Sequence, residues 1–168
     1  MSAVYFLSDL HLAHKNICKF REGFTSVEEH NALIKENYHK RVTKRDTVYF
    51  LGDVAFDKES LADVKTWVGA KKILICGNHD LDHHTMKDLV TVYDEVYSLK
   101  KYKEFWLSHA PIHQDELRGK VNIHGHTHFH VIDDERYVNV CMEQINYTPI
   151  ELHEIRAKIY KEKLIEQD

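Results

Sequence analysis

Five short segments carry side chains that bind metals: Asp9-Leu10-His11, Gly52-Asp53, Gly77-Asn78-His79-Asp80, Ser108-His109 and Gly125-His126-Thr127-His128. Each follows an apolar, β-branched run and so reads as the end of a buried strand delivering polar groups to a common edge. Residues i and i+2 of a strand share a face, so Asp9 with His11, and His126 with His128, read as pairs that grip an ion while Thr127 faces away. A lone D-x-H or H-x-H pair is more often structural than ligating. Here Asp53, Asn78 and His109 stand at equivalent strand ends, and together these seven side chains imply a site for two ions. Glycines at 52, 77 and 125 allow sharp turns where a ligand must approach. Carboxylate, amide oxygen and neutral imidazole without thiolate suit Mn, with Ni, Fe or Zn as alternatives.

Taken in order, the blocks D-x-H, G-D, G-N-H-[DE], H and G-H-x-H resemble the signature of the calcineurin-like metallophosphoesterases, over residues 9–128. That resemblance implies an α/β fold, a four-layer α/β/β/α sandwich of two mixed β-sheets flanked by helices, as a single domain over 1–168. It implies that Asp9, His11 and His128 hold one ion, that Asn78, His109 and His126 hold the other, and that Asp53 bridges both. Two ions roughly 3.5–4 Å apart can clamp a phosphate oxygen, lower the pKa of a bridging water and aim the resulting hydroxide in line at phosphorus. His79 holds no metal in the family pattern, and is assigned as general acid or stabiliser of the leaving oxygen. Asp80 reads either as the carboxylate that orients and charges the His79 ring or as a helix N-cap ahead of Leu81. His14, Asn16 and Arg21 follow the first metal loop closely enough to meet substrate, and Arg118 precedes the last one; a solvated loop side chain is the competing reading for each.

Protein phosphatases of that family extend the second block to G-D-x-V-D-R-G, whose arginine binds a dianionic monoester. This chain instead reads Gly52-Asp53-Val54-Ala55-Phe56-Asp57-Lys58, without the arginine. The departure shifts the expected substrate towards a phosphodiester or small nucleotide-like ester and away from phosphoprotein. Alternatives are a phosphomonoesterase on nucleotides or sugar phosphates, a nuclease on single strands with basic runs lining a track, and a non-catalytic binding scaffold. Retention of His79 and the whole ligand set speaks against the scaffold.

The chain of 168 residues fits one domain able to bury roughly 68–70% of its unfolded surface. Its first eight residues are apolar but lack a basic leader and meet Asp9 too early for a signal peptide. No run approaches the roughly 18 apolar residues of a membrane span. Cys18, Cys76 and Cys141 are odd in number and lack C-x-x-C spacing, so reduced thiols in a cytoplasmic protein are expected. A formal charge of −4 argues against a grip on long duplex nucleic acid.

The elements that must position the site follow from periodicity. Strands are predicted over 4–8, 47–51 and 71–76. Ser26 and Glu29 form a capping box for a helix over 27–41, and Ser60 with Asp63 opens another that turns Leu61, Val64, Trp67 and Val68 inward. This alternation implies parallel pairing with helical crossovers. Short strands at 90–92, 95–99, 104–108, 120–124, 129–132 and 137–140 then imply a second, largely antiparallel sheet. A closing helix is expected over 151–164, with Leu152, Ile155, Ile159 and the stem of Lys163 on one side.

Overall fold

A computed structural model describes the backbone of residues 1–165 and the side chains through residue 160. Two mixed sheets stack face to face with helices outside them, the α/β sandwich expected. In the first sheet, β1 (Val4–Leu7), β2 (Thr47–Phe50), β3 (Lys71–Ile75) and β4 (Glu95–Tyr97) run parallel, and β9 (Ile150–Glu151) closes it antiparallel beside β1. The second contains β5 (Leu99–Tyr102), β6 (Phe105–Ser108), β7 (Val121–His124) and β8 (Tyr137–Asn139) in spatial order.

Alternation along the strands explains the layers. Phe6 and Tyr49 point to the second sheet, where Tyr102 lies 6.2 and 5.2 Å away. Phe50 points the other way, stacking at 6.0 Å on Tyr38 of α2 (Val27–Arg41), which also meets Trp67 at 4.8 Å behind α3 (Lys58–Thr66). Buried side chains from both sheets and from α2 and α3 form one core. Short helices α1 (Ile17–Phe20), α4 (Asn78–His83) and α5 (Met86–Leu89) lie in the connections, and α6 (Leu152–Ile165) closes against β9 and β1. Lys163, expected on its inner side, lies outside the described side chains.

Several expectations are corrected. The second sheet is not largely antiparallel: only β5–β6 pair that way, while β6–β7 and β7–β8 are parallel. Residues 90–92 form the turn after α5, and 129–132 form a loop. Asp57, not Ser60, caps α3, accepting from the Ser60 N–H at 2.8 Å. Ser26 does cap α2, but the Glu29 carboxylate turns to the Thr25 N–H and hydroxyl instead of completing the box. All three cysteines are free thiols. Among the described residues, no helix is long and apolar enough to cross a membrane.

Candidate metal centre

The parallel strands β1, β2 and β3 of one sheet, and β6 and β7 of the other, end at the same edge, and each delivers a candidate ligand one to three residues later. The sheets meet there: the Ser8 N–H donates to Val140 O at 3.0 Å and the Met142 N–H to Ser8 O at 3.1 Å. The ligand pairs do not project from extended backbone as expected. Asp9 (φ 57), His11 (φ 50), Asp53 (φ 54), His126 (φ 70) and His128 (φ 49) are all left-handed, a conformation that costs a residue with a Cβ roughly 1–2 kcal/mol. Hydrogen bonds hold them there: Asp9 N–H to Gly52 O and His11 N–H to Asp53 O, each at 3.0 Å. Close packing excludes side chains at three glycines, among them Gly52, where a Cβ would meet His109 Nδ1 and the Gly77 backbone. A Cβ on Gly77 would collide with Asp53 Oδ1, and one on Gly125 with Ser8 Oγ and Asp9 Oδ2.

Two clusters result. In the first, Asp9 Oδ1 lies 3.5 Å from both His11 Nε2 and His128 Nε2. In the second, His109 Nε2 lies 3.1 Å from Asn78 Oδ1, 3.1 Å from His126 Nδ1 and 3.2 Å from Asp53 Oδ2. Asp53 Oδ2 is also 3.8 Å from His11 Nε2, so one carboxylate oxygen faces both clusters. The structure thus brings the seven sequence candidates together in two groups that share Asp53.

These donors fit cations. Asp9 Oδ1 and His11 Nε2 are buried without a hydrogen-bond partner, a costly state unless something absent from the polypeptide takes their lone pairs. The other oxygen of Asp9 is saturated by Ser8 Oγ–H at 2.6 Å, the His126 N–H at 2.8 Å and the Cys141 thiol at 3.2 Å, leaving Oδ1 free to ligate. Burial pushes the Asp9 carboxyl upward, but the His11 ring beside it, the charge of His109, and hydrogen bonds from Ser8 and the His126 N–H outweigh it and hold it well below the carboxylate range. Burial also pulls His11 below its ordinary value despite Asp9, keeping it neutral as a ligand must be. Burial acts downward on His109 too, but the Asp53 hydrogen bond and the charges of Asp9 and Asp53 raise it to about 9.

Two groups orient the first cluster: Glu143, which sequence did not reveal, and Arg21, in a role that sequence did not reveal. Glu143 Oε1 accepts from His128 Nδ1 at 2.9 Å and from Arg21 Nε at 2.8 Å, with its side chain 3% exposed. That bond fixes the His128 tautomer, turns Nε2 toward Asp9 and, opposing burial, raises the ring above its ordinary value. Arg21 also donates to Asp9 O at 2.5 Å and Leu10 O at 3.2 Å, and lies 2.8 Å from His30 Nε2. Arg21 is thus corrected from a substrate contact to an internal clamp on the Asp9 loop. Cys141 and Glu143 also flank His128. Burial, then the charge of Asp9, raises the Cys141 thiol, whose Sγ donates to Asp9 Oδ2 at 3.2 Å.

Asp80 is corrected as well. Its carboxylate accepts the N–H groups of Gly77 at 2.7 Å, Asp53 at 2.9 Å and Val54 at 3.1 Å, pinning the 52–54 turn to the start of α4. Gly77 is the N-cap of that helix, and Asp80 reaches back to it from the first turn. The carboxylate beside the His79 ring is Asp82, with Oδ2 3.3 Å from Nδ1. His79 stands half-exposed at the edge of the first cluster, its ring centroid 5.9 Å from His11 and 5.1 Å from Phe56, and its N–H donates to Asp53 Oδ1 at 2.9 Å. His14 lines a cavity beside His11 and His128. Asn16 is exposed at the start of α1 and makes no side-chain cap bond. Arg118 is exposed and pairs with Glu116 at 3.2 Å, away from the seven candidate ligands.

A family model described as calcineurin-like phosphoesterase matches residues 2–164. The chain is 31% identical to an uncharacterized protein of Methanocaldococcus jannaschii, over 98% of this chain and 96% of that protein. To the gene 66 protein of Mycobacterium phage L5 it is 32% identical, over 76% and 78% respectively. Among solved structures it is similar to a protein of unknown function from Aquifex aeolicus, with 26% identity and a TM-score of 0.72, over 94% of this chain and 99% of that one.

Proposed function

Because the chain belongs to the calcineurin-like phosphoesterase family, we propose that this metal-dependent phosphoesterase is a phosphodiesterase acting on a small, nucleotide-like diester. The observation that carries the reading is the single Asp53 oxygen that faces both clusters, 3.2 Å from His109 and 3.8 Å from His11. In our assignment, Asp9, His11 and His128 would hold one divalent ion and Asn78, His109 and His126 a second, with Asp53 standing between the two groups. Manganese is the proposed occupant, with Ni, Fe or Zn as the other outcomes of reconstitution. When bound, such a pair supplies Lewis acidity for a phosphate oxygen and acidifies a water at neutral pH.

The remaining work falls to side chains. His79 stands at the open edge of the first cluster, where its ring donates the proton that the leaving oxygen needs, with Asp82 Oδ2 3.3 Å from Nδ1. The place of the phosphatase arginine is taken by Asp57, whose carboxylate caps α3. Lacking that cation, the site favours a phosphate bearing one negative charge, as in a diester, over a dianionic monoester. The test compares bis-p-nitrophenyl phosphate with p-nitrophenyl phosphate, using manganese-loaded protein. A higher kcat/KM for the diester is expected; efficient turnover of the monoester with the diester untouched would overturn the assignment.

A further inference from the structure

Beside the first cluster lies a cavity of about 370 Å³. Its floor is the His11 and His128 rings, its walls include Ile17 and His14, and its rim carries Phe20 and Phe129. We propose, resting on the phosphodiesterase reading, that this cavity is the subsite for the uncharged heteroaromatic base of the substrate's nucleoside, with Phe20 and Phe129 as the residues that select it.

Position is the first argument. The cavity shares two candidate ligands with the metal centre, so a group esterified to a phosphate held by that cluster extends directly into it. Lining chemistry is the second. Phe20 and Phe129 are 63% and 65% exposed, and the His14 ring meets Phe20 edge-on at 6.0 Å and Phe56 edge-on at 4.9 Å. A mouth built from aromatic faces and edges suits a planar ring, which stacks on them whatever its sequence identity. Charge is the third. The two charged side chains in the lining, Arg21 and Glu143, are 2.8 Å apart and buried, and Glu143 Oε2 is a buried acceptor without a partner, so the cavity offers no exposed cation to a second phosphate. A neutral base fits; a sugar bisphosphate or polyphosphate does not. The volume lies at the lower end of the range for small-ligand pockets, which suits one nucleoside and not an oligomer.

The experiment separates the base from the phosphate. Binding of adenosine 5′-monophosphate and of ribose 5-phosphate to the manganese-loaded full chain is measured by titration calorimetry; the two ligands share phosphate and sugar. Stacking of one base predicts roughly 5- to 150-fold tighter binding of the nucleotide. In F20A/F129A the ratio should fall toward one, and in F20L/F129L, which keeps apolar bulk but removes the π faces, most of the loss should persist. Equal affinities in the parent protein, or a double substitution that weakens both ligands alike, would overturn the subsite. So would a parent that sediments as a dimer and an F20A/F129A protein that sediments as a monomer, since the rim would then cover a second copy. If the monophosphates are hydrolysed, the diester reading fails while the subsite is still tested, through the ratio of KM values.

Discussion

Replacing Glu143 with Gln tests whether a carboxylate outside the ligand set controls one ion and not the other. The substitution keeps an oxygen acceptor within reach of His128 Nδ1 and Arg21 Nε, the partners now at 2.9 and 2.8 Å, and removes only the charge. Partners of this kind behind a ligating histidine set metal affinity by about 10- to 100-fold when changed, equivalent to about 1.4–2.7 kcal/mol. The electrostatics give the same scale. A hydrogen bond to a charged group contributes about 1.5–3 kcal/mol against about 0.5–1.5 for a neutral one, so weakening one bond to a ligand ring removes about 1–2 kcal/mol. Manganese titrated calorimetrically into ion-free protein should show two binding events. In E143Q, one event should weaken by about 10- to 100-fold and the other by no more than about threefold, because the second cluster shares only Asp53 with the first. Arg21 loses its counter-charge in a buried setting, a change that destabilises by up to about 3–5 kcal/mol, so the titration must run well below a lowered Tm. Equal weakening of both events, or no change in either, would refute the link from Glu143 through His128 to a single ion.

His79→Ala should retain both ions and lower kcat by about 10²- to 10⁴-fold; ion loss measured by elemental analysis would make His79 a ligand instead. Asp80→Ala leaves three N–H groups without their acceptor, and at about 1–3 kcal/mol for each buried donor it should lower Tm by at least about 6 °C; a calorimetric scan with Tm unchanged would count against the pin. Burial pushes the Asp46 carboxyl up, but the N–H groups of Ala3 and Thr43 and the Thr43 hydroxyl outweigh it and hold it below its ordinary value, so its stabilisation is present at neutral pH and fades as pH falls through the carboxylate range towards the folded-state value. Asp46→Asn should therefore lower Tm at pH about 7 more than at pH about 3; a gap independent of pH contradicts this. Chelation of the loaded protein should lower Tm by roughly 5–11 °C per ion present at 100 times its Kd, and a thermogram unaltered by chelator would mean that the clusters bind no ion tightly.

How far the sequence carried depended on whether the signal was local. The runs that became β1, β2 and β3 are apolar because both faces are covered, and such runs are readable without knowing their partners. Ser26 ahead of α2 was readable for the same reason, since a cap acts within one turn. Pairing in the second sheet was not readable, because parallel and antiparallel neighbours demand similar side chains. Residues 90–92 and 129–132 carry β-branched residues but belong to a turn and a loop, and composition alone does not distinguish these from strands. Arg21 and Glu143 lie 122 positions apart, and no spacing rule joins them. Sequence alone places Arg21 in solvent or against substrate, because burial of a guanidinium requires acceptors that only the folded chain supplies.

The left-handed backbone at five of the seven candidate ligands explains why their type was legible and their geometry was not. Alternate residues of an extended strand stand about 6.6 Å apart on one face, the arrangement that the spacing predicts for both pairs. Turning Asp9 and His11 into the left-handed region shortens the path until their ligating atoms are 3.5 Å apart. The same device brings His126 and His128 to different clusters: His126 Nδ1 meets His109, and His128 Nε2 meets Asp9. A periodicity argument assigns both to one ion; the backbone divides them. Five such residues, at roughly 1–2 kcal/mol each, represent a strain comparable to the whole net stability of a domain, about 5–15 kcal/mol. The interlocking bonds from Asp9, Asp80 and Arg21 to neighbouring turns must therefore offset the strain before any ion binds, which is why the residues that hold the loops are as deeply buried as the core.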